Sequence, residues 1–195
     1  MNAQTPAMSS ITGPQARADT LRWLERAVIG LNLCPFAKAV HVRGQIHHAV
    51  YLAHDGDGLL DALLAEAHAL VDAPVGTRDT SLLIAPNTLA DFIEFNEWTR
   101  RAERRLARAG FDGVLQLASF HPQFAFAGSG PDDIANATNR APYPMLHLLR
   151  EDSVSRAVDA FPEPEAIYQH NIETLERLGA EGWAALGVGV GGAAP

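Results

Sequence analysis

The sequence predicts a single α/β domain: a small sheet of three or four strands flanked by helices, with an α+β arrangement as the alternative. Three observations predict it. Apolar residues recur at helical spacing in several long segments, and short apolar runs bounded by proline, glycine or asparagine lie between them. Between Ser81 and Ser119 the order is strand, long helix, strand, the pattern of a right-handed crossover between parallel strands. The 195 residues, 47% of them hydrophobic, suit one packed domain and lie far from the composition of a disordered chain.

Each element has its own signal. Thr12-Gly13-Pro14 reads as a helix start, and Leu21, Leu24, Val28 and Leu31 follow at helical spacing until Gly30, Asn32 and Pro35 end the run. Gln45 to Ala53 alternates weakly and reads as a strand. Asp57 is the expected cap of a second helix with an apolar face of Leu59, Leu60, Leu63, Leu64, Ala67 and Leu70. Ser81 to Ala85 is a short buried strand. A long helix is expected from about Thr88 to Ala109, with Leu89, Phe92, Ile93, Ala102 and Leu106 inward and Gly110 as its stop. Gly113 to Ser119 is a third strand, and Met145 to Leu149 reads as either a fourth strand or a helix. A short helix over Glu151–Ala160 is broken at Phe161-Pro162, and a last one runs from Glu163 to Leu178 before Gly179. The domain is therefore placed at 14–180, with 1–13 as a disordered start and 181–195 as a Gly-rich flexible tail.

Composition excludes several classes. The net charge of −8, with a pI near 5.4, argues against nucleic acid and anionic membrane surfaces as partners. No signal-peptide pattern opens the chain, and no apolar run approaches the ~20 residues that span a bilayer. Cys34 is the lone cysteine, which excludes an internal disulfide or a CxxC metal ribbon and fits a reducing cytoplasm. GxSxG, Walker, HExxH and Rossmann patterns are missing from the sequence.

Two segments are unusually rich in residues that hold ligands. Phe120-His121-Pro122-Gln123-Phe124 is one. The other is Asn136 to Glu151, which carries Asn139, Arg140, Tyr143, His147 and Arg150 between prolines and a short apolar run. If three strands run parallel, the first of these leaves the carboxyl edge of the sheet, where ligands bind in open α/β folds.

Four stretches together resemble the bacterial domain of unknown function family numbered 1415. They are Ile29–Lys38 (IGLNLCPFAK), Ser119–Gly128 (SFHPQFAFAG), Thr138–Arg150 (TNRAPYPMLHLLR) and Asn171–Gly179 (NIETLERLG). The resemblance runs from about Thr20 to Gly179 and implies membership only, because the family carries no established reaction or catalytic residues.

The candidate residues each have two readings. Cys34 is either a small buried hydrophobe or a nucleophile whose thiolate Lys38 or a histidine would favour; the helix end before it disfavours an anion. His121 and His147 are the acid–base candidates, against structural, hydrogen-bonded imidazoles. Arg140, with Arg150 or Lys38, offers a fork for carboxylate or phosphate, and Asn136, Asn139, Tyr143 and Gln123 can orient a polar ligand; the other reading braces the loop. Cys34, His121 and His147, with Asp132 or Asp133, have the chemistry of zinc or iron ligands but no compact motif, so no metal is predicted and the cofactor stays open. The arginines at 100, 101, 104, 105 and 108 read as a solvated helix face or a strip for an acidic partner.

The leading expectation is a small cytoplasmic enzyme acting on a small anionic metabolite, with His121 as acid or base and Arg140 holding the anion. The alternatives are a non-catalytic regulatory module that binds a metabolite or metal ion, and a protein-interaction module that exposes Phe95, Trp98 and the arginine strip.

Overall fold

The structure, a computed structural model, describes residues 11–74, 76–159 and 166–195. Among them, four strands form one mixed sheet: β1 (Ile46–Val50), β2 (Thr80–Ile84), β3 (Leu115–Phe120) and β4 (Met145–Arg150), in the order β1-β2-β4-β3. β1 and β2 pair in parallel, and β4 runs antiparallel to both β2 and β3. The first three strands therefore share one direction. The crossover expected between Ser81 and Ser119 is present, but β4 has inserted between the two strands it links. Met145 to Leu149 is thus a strand, and a central one.

The helices are α1 (Gly13–Trp23), α2 (Ala37–Val42), α3 (Gly56–Asp72), α4 (Phe92–Leu106), α5 (Glu151–Asp159) and α6 (Ala166–Ala185). Local chemistry sets their starts. The Thr12 hydroxyl accepts from the Gln15 N–H, and proline occupies the first turn of α1. α3 is capped by Asp55, which accepts from the Gly58 N–H, rather than by Asp57. α4 begins at Phe92, later than the apolar pattern implies, because Asp91 accepts from the Ile93 and Glu94 N–H groups. Ile93 is consequently turned outward, 70% exposed, while Phe95 and Trp98 are buried. The exposure of Phe95 and Trp98 that the interaction-module reading required is not found.

Strand alternation divides the core in two. On one face Leu83, Leu146 and Leu148 pack against Leu59 and Leu63 of α3 and Phe95 of α4. Burying each such side chain contributes ~1.5–3 kcal/mol relative to leaving it in water. On the other face Ile84 and Met145 pack against Trp23 of α1, Leu24 and Ala27 of the π-helical turn that continues it, and Leu175 of α6.

The C-terminal end departs from expectation. Gly179 breaks α6 at φ 68°, as its glycine predicts, but the chain then packs back. Trp183 and Val188 are buried, and the Gly191 N–H donates to the Asp19 carboxylate 3.0 Å away. The segment 181–195, expected to be a flexible tail, contributes to the core. The expected disorder of residues 1–10, the break at Phe161-Pro162 and the last helix's start at Glu163 lie outside the described residues.

Candidate functional site

The polar loops at the carboxyl ends of β1, β2 and β3 are knitted to the backbone. His121 is fully buried, with Phe92 and Phe95 rings at 5.4 and 5.0 Å. Its Nδ1 accepts from the Gln123 N–H at 3.0 Å, so the proton sits on Nε2, which donates to the Leu89 carbonyl at 3.1 Å. Burial lowers its pKa and keeps the ring neutral. The bond to Leu89 also clamps a backbone turn that holds a non-glycine residue at φ 56°.

Asn136 is equally buried. Its Oδ1 accepts from the Phe126 N–H and the Ser129 hydroxyl, and its Nδ2 donates to the Gly130 carbonyl. Arg140 donates from Nε to the Phe124 carbonyl and from a terminal nitrogen to that of Pro131, and burial lowers its pKa. Asn139 donates to the Ser119 carbonyl. Gln123 is exposed, and the bond that fixes this turn comes from its backbone. Tyr143 donates to Asp19 at 2.6 Å, and its pKa is raised, by burial first and then by that carboxylate. Burial pushes Asp19 up, but the Gly191 N–H, Tyr143 and Arg22 together outweigh it and hold the carboxyl below its usual range. In these loops the buried polar side chains are occupied in holding the chain.

A different space lies on the sheet face opposite α3 and α4. It is a cavity of ≈ 760 Å³, within the range of small-molecule sites. Leu82, Ala118 and His147, register partners across β2, β3 and β4, form its floor, with Phe120 beside them. Trp23, Val28, Phe36 and Val40 line its walls, and α5 contributes Val154 and Ala157. Its lining reaches Gln45 and Thr80 at the amino-terminal ends of β1 and β2, and does not include the loop residues at the carboxyl edge where the sequence placed a cleft. The antiparallel β4 is the reason: it reverses direction in mid-sheet and carries His147 and Arg150 away from that edge.

The sequence-predicted residues divide between the two places. Cys34, His147 and Arg150 line the cavity, whereas His121, Gln123, Asn136, Asn139, Arg140 and Tyr143 do not. Lys38 is exposed on α2. Arg150 is largely committed, donating to the carbonyls of Leu70, Ala73 and Arg78.

His147 is the polar group of the cavity floor. Its Nε2 meets the Thr80 hydroxyl, whose only proton goes to the Leu148 carbonyl. Nε2 must therefore be the donor, and Nδ1 is left as a bare acceptor. Burial, and secondarily charge on His48, push the His147 pKa down to about 4, so the ring is neutral at physiological pH. Cys34 sits in the turn before α2, where the Phe36 and Ala37 N–H groups favour its thiolate. Burial outweighs them and pushes the thiol pKa up. The pair is a neutral thiol and a neutral imidazole.

Thr80, Arg43, Gln45, Asp79, Ser153 and Arg156 also line the cavity, and none of them belongs to the two ligand-rich segments of the sequence. Thr80 carried a usable signal, as a hydroxyl two positions before Leu82 and so on the same face of the strand. α2 carried none: it has six residues and buries none of them. Among the described residues, no group of three or more His, Cys, Asp or Glu side chains is placed to hold a metal ion. No helix among them is long and apolar enough to cross a membrane.

Fold and cavity together define a small α/β protein with a ligand-sized space on one sheet face. The family model described as Protein of unknown function (DUF1415) matches residues 15–185. The chain belongs to that family. No curated protein and no solved structure matches it.

Proposed function

We propose that this is a small-molecule-binding protein of the bacterial cytoplasm whose ligand occupies the cavity between the sheet, α2 and α5. The observation that carries the proposal is His147: one neutral imidazole of fixed tautomer on the floor of a ≈ 760 Å³ cavity with largely apolar walls. A ligand there gains affinity from buried apolar surface and orientation from one hydrogen bond to Nδ1. The lone thiol and the acidic charge balance support the cytoplasmic setting, and the family resemblance supports the bacterial one.

Catalysis is the second reading, because Cys34 and His147 border the same space, a nucleophile and a base in one cavity. A raised thiol and a lowered imidazole pKa oppose proton transfer between them, so the resting pair is not an activated one. Binding is the reading the geometry supports better.

A thermal-shift screen of a metabolite panel tests both, run on the native protein and on Ala118→Trp, which fills the cavity floor. Ligands that stabilise the native protein and not Ala118→Trp are the expected result. Stabilisation that survives Ala118→Trp but is lost in Arg140→Ala would move the site to the loops. Recovering the bound ligand unchanged in mass supports binding alone; a changed mass makes the protein an enzyme.

A further inference from the structure

The chain as a whole carries a net charge of −8, yet the cavity reverses that sign. Among the described residues, its lining includes three guanidiniums, Arg43, Arg150 and Arg156, and a single carboxylate, Asp79. Arg150 is taken up by backbone carbonyls, but Arg43 and Arg156 are exposed residues that also line the cavity, so they stand at its mouth. Each is aimed by a fixed neighbour. Arg43 donates through Nε at 2.6 Å to Gln45, a buried side chain tied in turn to the Gly76 carbonyl. Arg156 donates through one terminal nitrogen at 3.0 Å to the Ser153 hydroxyl, which itself donates to Asp79 at 2.6 Å. These bonds use Nε of the first arginine and a terminal nitrogen of the second. Much of each fork remains for a ligand. Behind them the walls are apolar, and low-dielectric walls concentrate the field of charges at an opening.

Resting on the cavity reading above, we propose that the ligand is an amphipathic anion. Its apolar body lies over Leu82, Ala118 and Phe120, and its carboxylate or phosphate head is gripped at the mouth by Arg43 and Arg156. A hydroxyl or amide N–H on the body would donate to Nδ1 of His147. A purely polar anion leaves the walls unfilled, and a neutral hydrocarbon leaves the two forks unused. Planar guanidinium forks match both anionic heads, and experiment resolves which one is bound.

The test is isothermal titration of the native protein with four probes of one chain length, each below its micelle concentration: decanoate, decyl phosphate, 1-decanol and decyltrimethylammonium. Either anion is expected to bind about tenfold or more tightly than the alcohol, with the cation weakest. The tighter anion identifies the head. Adding salt should weaken the anions and leave the alcohol alone. Arg43→Gln with Arg156→Gln, both at exposed positions, should bring the anions to the alcohol's affinity without changing the alcohol's. Arg43→Glu with Arg156→Glu should reverse the order and favour the cation.

Equal binding of anions and alcohol, unaltered by these variants, would overturn the anionic head while leaving the cavity reading intact. Failure of all four probes would overturn both. Tight anion binding that survives the double variants but is lost in Arg140→Ala would place the head in the loops and overturn the proposal.

Discussion

The loops at the carboxyl edge of the sheet and the cavity on its face both contain histidine and arginine, and use them in opposite ways. His121 has both ring nitrogens bound to backbone groups and no exposed surface. His147 has one nitrogen bound, to Thr80, and lines an open space. Arg140 donates from Nε and one terminal nitrogen to the Phe124 and Pro131 carbonyls, while Arg156 is held by a single serine hydroxyl. A loop without secondary structure must satisfy its own backbone polar groups, and large polar side chains do that well. A dense cluster of His, Arg, Asn and Tyr therefore marks a braced loop as readily as a binding site. Function is better sought where few polar groups meet apolar walls.

The contrast can be broken by experiment, most severely at His121. His121→Ala would open a cavity beside Phe92 and Phe95 and strand the Leu89 carbonyl and the Gln123 N–H. We expect a loss of about 3–4 kcal/mol in urea denaturation, with ligand affinity of the folded protein unchanged. A cost below ~1 kcal/mol would mean that the ring is not the brace described.

Next in size is a pH effect that belongs to the cavity. The folded His147 pKa of about 4 lies below its ordinary 6.5. As pH falls below the unfolded value, the unfolded chain takes up a proton that the folded chain refuses until about pH 4. Stability contributed by the neutral ring is thus full above the unfolded pKa and is lost across that window, by roughly 3 kcal/mol at most. His48, also pushed down to about 4 by burial first and then by Arg17, adds a loss of the same sign. His147→Phe should remove its own share of the slope. An unchanged profile in that variant would show that the floor histidine is not buried as described.

Arg140→Ala should have the smallest effect, about 1 kcal/mol of stability from its two carbonyl contacts, with decanoate affinity unchanged. A tenfold loss of that affinity would move the site back to the loop.

The strands and most helices were legible because their signals are local. Pro86 and Asn87 follow β2 and close it, Leu59, Leu63 and Leu70 recur along α3, and Gly110 closes the turn after α4 at φ 89°. Helix starts were less legible, since Asp55 against Asp57, and Asp91 against Thr88, differ only in which side chain reaches the first free N–H groups. The site was the least legible part. Cys34, Gln45, Thr80, His147 and Arg156 converge only because β4 inserts between β2 and β3, a long-range pairing without a local signature. His147 stood out as a histidine among leucines, but its value depends on Thr80 across the strand pair, 67 positions away.

We place the ligand of this protein in the cavity and not in the loop cluster. Titrating the 15N-labelled protein with decanoate and following every backbone amide by NMR tests this placement most directly. Saturable shifts concentrated at Phe36, Thr80, Ala118, His147 and Ser153 are the expected result. Shifts concentrated at Gln123, Asn139 and Arg140 would contradict it.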